Sequence, residues 1–237
     1  MKKIFFSVLT VTTFLSTAGL QAQTADEIVA KYVDAIGGKD KIGKMVSVYI
    51  ESSLQVMGNE APNVITVLNG KGYKSETDFN GQQIIQCYNE KGGWNINPMA
   101  GNSAAEAMPD EQYKLGKDQM EIGGALFDYA AKGSKIELLG KDAGIFKIKL
   151  VSKDNAETTY LLDGTSYYIT KVTRKGNMMG QDVEVTVNLS DYKKTDFGYV
   201  MPYTIQTNFG EQFSFTATVK KVEINKTIDP AIFATPK

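Results

Sequence analysis

Short runs of alternating apolar and polar residues, parted by turns too tight for any crossover, constrain this chain more than anything else in it. Val48, Ile50, Ser52, Leu54 and Val56 alternate with Tyr49, Glu51, Ser53 and Gln55. Val183, Val185, Val187 and Leu189 alternate in the same way with Glu184, Thr186, Asn188 and Ser190. A period of two marks a strand with one buried face. Asn69-Gly70, Asn80-Gly81 and Asp163-Gly164 close such runs, and these pairs favour tight hairpins. Connections of two to four residues force neighbours to pair antiparallel, because a parallel pair needs a dozen or more. Strands are expected at 48–56, 63–68, 73–79, 82–89 and 93–97, from about Lys135, and at 146–150, 157–162, 167–174, 183–190, 200–208 and 212–224. The fold class is α+β, with about eleven strands in a single antiparallel sheet. So many strands cannot stay flat, so the sheet is strongly curved, and its apolar face needs a cover.

Two helical segments are available as that cover. In the first, Thr24 with Glu27 forms a capping box, Ile28, Tyr32, Ala35 and Ile36 make one apolar stripe, and Gly37-Gly38 stops the helix. A short further turn of helix is expected over Lys39–Lys44. The second lies in Met99–Tyr129, where alternation fails. Here the sequence predicts a loop, a helix over Pro109–Met120 and a short helix over Gly124–Ala130.

Residues 1–22 have the layout of a secretory signal peptide: Lys2-Lys3, an apolar run from Ile4 to Leu15, and Ala22 before the cut. The run is too short to cross a hydrocarbon core, which takes about 20 residues. No cysteine stands at the cut, so no lipid anchor is expected there. The mature chain, 23–237, is expected in the periplasm as one domain of 215 residues, the 237 less those 22.

Removing Lys2 and Lys3 leaves 24 basic against 27 acidic residues, a net charge of −3. This argues against nucleic acid as a partner. There is no histidine, which excludes Ser-His-Asp and Cys-His catalysis and removes the commonest zinc ligand. No carboxylate pair stands out, so neither catalytic residue, metal nor cofactor is assigned. Cys87, the sole cysteine, sits in an apolar run and reads as a buried small hydrophobe.

Several stretches, in order, resemble the LolA/LolB-like family of outer-membrane lipoprotein-sorting proteins, in its bacteroidete-type branch. They are TADEIVAKYVDAIGG, YNEKGGWNINPMAG, ELLGKDAG, LLDGTSYYITKV, LSDYKKTDFGYVMPYTI and INKTIDPAIFATP, and together they span most of the chain beyond the signal. The resemblance implies a half-open β-barrel with helices in its mouth and a cavity for acyl chains. It implies a non-enzymatic periplasmic carrier or chaperone for a lipid or lipidated protein. One departure is visible: where the classical carrier has a lid-latching arginine, this chain has Asn69-Gly70-Lys71. Lys71 can replace its charge but not its planar fork.

On this reading the candidate ligand-binding residues are Trp94, Tyr73, Phe79, Met99, Met108, Met120, Leu126, Phe127 and Phe213. Methionines adapt to irregular apolar ligands, so the Met99–Tyr129 insertion is a candidate mobile lid. Trp94 reads either as hairpin core or as cavity lining. Alternation leaves Tyr73, Phe79 and Tyr88 open between cavity and convex face. Met178-Met179 reads as an ordinary turn or as an apolar tip that meets a partner or, transiently, a membrane. A monomer is expected. The alternative function is an envelope protein-interaction module of the same fold with a filled cavity. An empty apolar concavity favours the carrier; a packed interior with an apolar outer patch favours the module.

Overall fold

The computed structural model describes residues 23–178 and 181–236; the proposed signal segment, Met179, Gly180 and Lys237 lie outside the described residues. Thirteen strands form one antiparallel sheet: β1 (Ser47–Val56), β2 (Asn59–Leu68), β3 (Gly72–Phe79), β4 (Gln82–Asn89), β5 (Gly92–Asn97), β6 (Asn102–Ala107), β7 (Lys135–Asp142), β8 (Ile145–Val151), β9 (Glu157–Asp163), β10 (Ile169–Met178), β11 (Gln181–Lys194), β12 (Val200–Phe209) and β13 (Phe213–Ile224). The order is β6-β5-β4-β3-β2-β1-β13-β12-β11-β10-β9-β8-β7. Two meanders are therefore joined where β1 pairs with β13, and β6 and β7 are free edges. The sheet is curled and unclosed.

Among the described residues three α-helices accompany it: α1 (Ala25–Ala35), α2 (Lys39–Ile42) and α3 (Asp110–Gly116). The capping box of α1 forms as the sequence predicts, with Glu27 N donating to Thr24 Oγ1 at 3.2 Å and Thr24 N to Glu27 Oε2 at 2.9 Å. The stripe of α1 buries Ile28, Val29 and Tyr32 and, with Ile36, Ile42 and Leu126, covers Phe146, Ile148, Leu150, Tyr160 and Leu162 of β8 and β9. That covered side is the inner face.

The predicted helix over Pro109–Met120 forms as α3 and a 3-10 turn, Lys117–Met120. The short helix expected over Gly124–Ala130 is replaced by consecutive turns. Gly123 and Gly124, at φ +89° and +74°, and Asp128, at +48°, are left-handed there and break any helix. The loop expected before α3 contains β6. Its composition, Asn-Ser-Ala-Ala-Glu-Ala, shows no apolar alternation because an edge strand buries so little.

A second core lies on the outer face. Trp94, Cys87 and Phe233 are buried together with Leu68, Ile85 and Ile228. The C-terminal 3-10 turn, Pro230–Phe233, straps across β3 and β4. Three donors converge on the Phe233 carbonyl: Trp94 Nε1 at 3.0 Å, Asn89 Nδ2 at 2.9 Å and the Cys87 thiol at 3.5 Å. The Phe233 ring lies on Gly72, where a Cβ would fall 2.4 Å from it. Burial pushes the Cys87 thiol up to about 12.

This strap predicts that Phe233→Ala destabilises the fold by about 3 kcal/mol in urea unfolding, as a large-to-small core change does. Gly72→Ala destabilises it too, by displacing the same ring. At pH 8 the native Cys87 thiol should be inert to a disulfide reagent, with about one part in ten thousand ionised. In Phe233→Ala it should react measurably faster.

Candidate functional site

The inner face is divided across its middle. Toward the end where α2 and the insertion lie, Val48, Val67, Tyr73 and Tyr88 are buried with Met45, Met108, Met120 and Ile122. The 116 position makes this closeness possible, since a Cβ on Gly116 would sit 2.1 Å from the Tyr88 hydroxyl oxygen. Beneath the insertion the interior is therefore packed. Burial raises the Tyr73 hydroxyl well above its ordinary value and raises that of Tyr88, which accepts from Gln86 Nε2 at 2.9 Å.

A polar belt comes next. Ser52 and Asn63, paired across β1 and β2, are buried. Ser52 Oγ donates to Asn63 Oδ1 at 3.1 Å, and Asn63 Nδ2 reaches Ser75 Oγ at 2.9 Å and Thr77 Oγ1 at 3.0 Å on β3. Every polar atom of Asn63 is thereby satisfied, which is what lets an amide stay buried.

Beyond the belt the inner face is mostly apolar and, apart from the buried Ala61, Val185 and Thr207, half exposed. Register places Leu54 opposite Ala217 and Val56 opposite Phe215. Phe209 pairs with Phe213 and with Val185, and the rings of Phe209, Phe213 and Phe215 contact one another at 6.0–6.4 Å between centroids. Phe79, Ile84, Ile205, Val183 and Val187 follow the same inward register. None of these half-buried side chains joins any of the three buried cores. No inward position on β1–β4, β12 or β13 carries a charge. This stretch is an open apolar trough floored by the polar belt.

The insertion runs from the end of β6 to the start of β7, linking the two free edges. Besides the buried contacts of Met108, Met120, Ile122 and Leu126, it is tied by hydrogen bonds and ion pairs. Gly70 N donates to Met120 O at 2.9 Å and Ile122 N to Asn69 Oδ1 at 3.0 Å. Tyr113 Oη donates to Asn89 O at 2.8 Å, and Arg174 on β10 donates to Leu115 O at 3.0 Å. Lys117 pairs with Asp154 at 2.6 Å and Lys39 with Asp128 at 2.6 Å. The hydrogen bond that Lys117 Nζ donates to Asp154 raises the Lys117 ammonium above its ordinary value. Tyr129 Oη also donates to Asp26 of α1. Lys71 is exposed, and its turn grips the insertion through Asn69 and Gly70 instead.

Of the residues singled out in the sequence, Tyr73, Met108 and Met120 meet in the packed inner core, and Leu126 and Phe127 lie in the core under α1. Phe79 and Phe213 lie on the open trough. Trp94 is placed apart from all of these, on the outer face beneath the C-terminal strap, because it pairs with Cys87 and so points away from Tyr88. Met99 is 62% exposed on the β5–β6 turn. Met178 ends β10, and Met179 lies outside the described residues. Sequence reading missed Leu54, Val56, Phe209 and Phe215, though their alternation was visible. It also missed Arg174, the sole arginine, as the group that reaches the insertion.

Two surface hollows are also present. One of about 380 Å³ lies on the outer face among Tyr49, Val64, Thr66 and Glu76. The other, about 200 Å³, lies between the insertion and the β8–β9 turn, among Lys117, Glu121, Lys132 and Asp154. Both have mixed linings, polar side chains beside apolar ones. Among the described residues no group of three or more metal-ligating side chains occurs, and no helix is long and apolar enough to cross a membrane.

The architecture is that of the LolA-like half-barrel. A LolA superfamily protein from Nitrosomonas europaea superposes with a TM-score of 0.59 over 90% of this chain and 98% of its own, at 10% identity. A domain described as outer membrane lipoprotein-sorting, from Vibrio parahaemolyticus, gives 0.55 over 87% and 94%, at 15% identity. A DUF1329 family protein from Desulfovibrio piger gives 0.57 over 88% and 96%, at 13% identity. At such identities the likeness is one of fold. No protein-family model matches the sequence, and no curated protein does.

Arg174→Gln removes the bond to Leu115 O. A hydrogen bond of this kind contributes about 1 kcal/mol, so amide exchange across 110–118 should speed up about fivefold. Exchange in β12 and β13 should stay unchanged.

Proposed function

We propose that this protein is a periplasmic, non-enzymatic carrier that holds an acyl chain, of a lipid or a lipidated protein, in the open inner trough, in the service of outer-membrane lipoprotein sorting. The observation that supports this most is the row of half-exposed inward side chains, Leu54, Val56, Phe79, Phe209, Phe213 and Phe215, which among the described residues lie outside all three buried cores. A contiguous apolar surface inside a curved sheet costs stability unless something occupies it. Burying a methylene contributes about 0.8 kcal/mol, so an acyl chain binds there without any charged or catalytic group. The insertion then acts as a lid hinged on its hydrogen bonds and ion pairs. The resemblance to lipoprotein-sorting proteins and the fold shared with them support the same reading, as does the export-signal layout of residues 1–22.

The packed interior under the insertion favours a second reading, the envelope interaction module. The two separate in one experiment. The chain from Gln23 onward, purified from a bacterial periplasm, is analysed by native mass spectrometry before and after organic extraction, then titrated with a fluorescent fatty acid. The carrier reading expects an extractable lipid or acyl-protein adduct and saturable binding. Val56→Asp and Phe215→Asp should weaken that binding at least tenfold, while Val64→Asp on the outer face should leave it unchanged. A bare mass and no binding would overturn the carrier and leave the module.

A further inference from the structure

One register row crosses the inner face from β8 to β13: Leu150, Thr158, Arg174, Val185, Phe209 and Phe213. Arg174, the sole arginine of the chain, is the one charged side chain in it. Two contacts fix its inward direction. Its row neighbour Val185 faces inward beside Phe209, and Arg174 Nη1 donates to Leu115 O on the insertion that covers this face. Its charge also opposes the burial that raises the Tyr88 and Tyr160 hydroxyls, so the guanidinium lies near both. Tyr88, Tyr160 and Val185 are all buried. A guanidinium in such surroundings costs stability unless it is paired. Among the described residues Arg174 has no ion pair, and the bond to Leu115 O is its one hydrogen bond. Asp118, whose charge also acts on Tyr160, is exposed and lines the hollow beside Lys117 and Lys132 instead. The Nε–Nη2 edge of the guanidinium is left for an acceptor that the described residues do not supply.

We propose that Arg174 holds a carboxylate, so that the trough takes a free fatty acid with its head inward: the carboxylate beneath the insertion, the chain over Val185 and Phe209 toward Phe213. The inference rests on the acyl-carrier reading above and names a ligand for it. A guanidinium matches the two oxygens of a carboxylate side-on, through Nε and Nη2, while Nη1 keeps Leu115 O. From Arg174 to Phe213 the row spans about 14 Å, three strand spacings. Every side chain along that path is apolar, so an extended acyl chain covers it. The buried side chains around the guanidinium call for a small head. A carboxylate brings little beyond the oxygens it bonds through, whereas a phosphoglycerol head brings its glycerol too. This orientation is the reverse of the one a lipidated protein would need, since its acyl-bearing end has to stay outside.

The test uses the chain from Gln23 onward with laurate, its neutral methyl ester, dodecylamine and lauroyl lysophosphatidate. Binding is read by displacement of a neutral apolar fluorophore. Laurate should bind about tenfold tighter than the ester, as a charge-assisted bidentate pair implies, and dodecylamine should bind weakest. Arg174→Gln should bring laurate down to the level of the ester and leave the ester unchanged, which also shows that the variant is folded. Arg174→Lys, a charge without the fork, should keep only part of the gap. Lys175→Gln, paired with Glu184 on the outer face, should change nothing. Laurate labelled with carbon-13 at its carboxyl and followed by NMR should titrate below its ordinary value when bound, because a nearby cation favours the charged form; bound to Arg174→Gln it should not. Equal binding of laurate and its ester, a gap that survives Arg174→Gln, or tighter binding of the lysophosphatidate overturns this inference, while binding of the ester keeps the carrier reading intact. Failure of every ligand and of the fluorophore overturns both.

Discussion

The pairing of β1 with β13 is the contact on which the rest depends. Each half of the chain forms its own meander of neighbouring hairpins, β1–β6 and β7–β13, and such units assemble from local contacts. Only the Val48–Val56 stretch, matched to Phe215–Ile224 in nine pairs with a bulge after Glu51, makes them one sheet. It joins residues about 170 positions apart, and loop closure over that length costs entropy that local hairpins avoid. That seam also aligns the inward residues of the two halves, Leu54 with Ala217 and Val56 with Phe215. The trough is lined from both sides of it, so a shift of one residue would turn its wall outward.

Curling a thirteen-stranded sheet creates more inner surface than this chain's helices can cover. α1 has 11 residues, about 16 Å of helix, and it lies over the β8–β10 side. The insertion fills the space over Tyr73 and Tyr88. What remains lies past the Ser52–Asn63–Ser75 belt. The belt lets the face change character: its hydroxyls and amide satisfy one another, so the packed half ends without an unpaired polar group.

Much of this was legible in the residues. Alternation and Asn-Gly or Asp-Gly turns located most strands, and Thr24 with Glu27 marked the start of α1. The misses have physical causes. β6 carries almost no apolar residue because one of its sides is an unpaired edge. The 124–130 stretch looks helical in composition, but Gly123 and Gly124 take left-handed conformations that composition does not record. Period-two patterning gives a strand two faces without saying which is inner. It therefore left Trp94 undecided, and pairing with Cys87 under Phe233 decided for the outer core. Phe213 and Phe215 were visibly on one side, but only the β1–β13 seam shows that Leu54 and Val56 share it.

If the protein is the proposed carrier, the strength with which the insertion is held bears on how its trough is filled. The insertion is held at its outer margin by the Arg174–Leu115 hydrogen bond and by the partly exposed Lys117–Asp154 and Lys39–Asp128 pairs. A hydrogen bond of this kind contributes about 1 kcal/mol and an exposed ion pair about 0–1, so these ties together amount to roughly 1–3 kcal/mol. Four methylenes moved from water onto the phenylalanine wall contribute about 3 kcal/mol. On the carrier reading, an acyl chain of ordinary length would therefore exceed the outer ties before it is half buried. The deeper contacts, Met108 and Met120 against Tyr73 and Tyr88, are apolar on both sides. They can be exchanged for contacts to an acyl chain at little net cost, which suits methionine, the most adaptable of apolar side chains. On that reading, binding and release of the insertion would be two sides of one exchange of apolar surface, bounded on the sheet by the Ser52–Asn63–Ser75 belt.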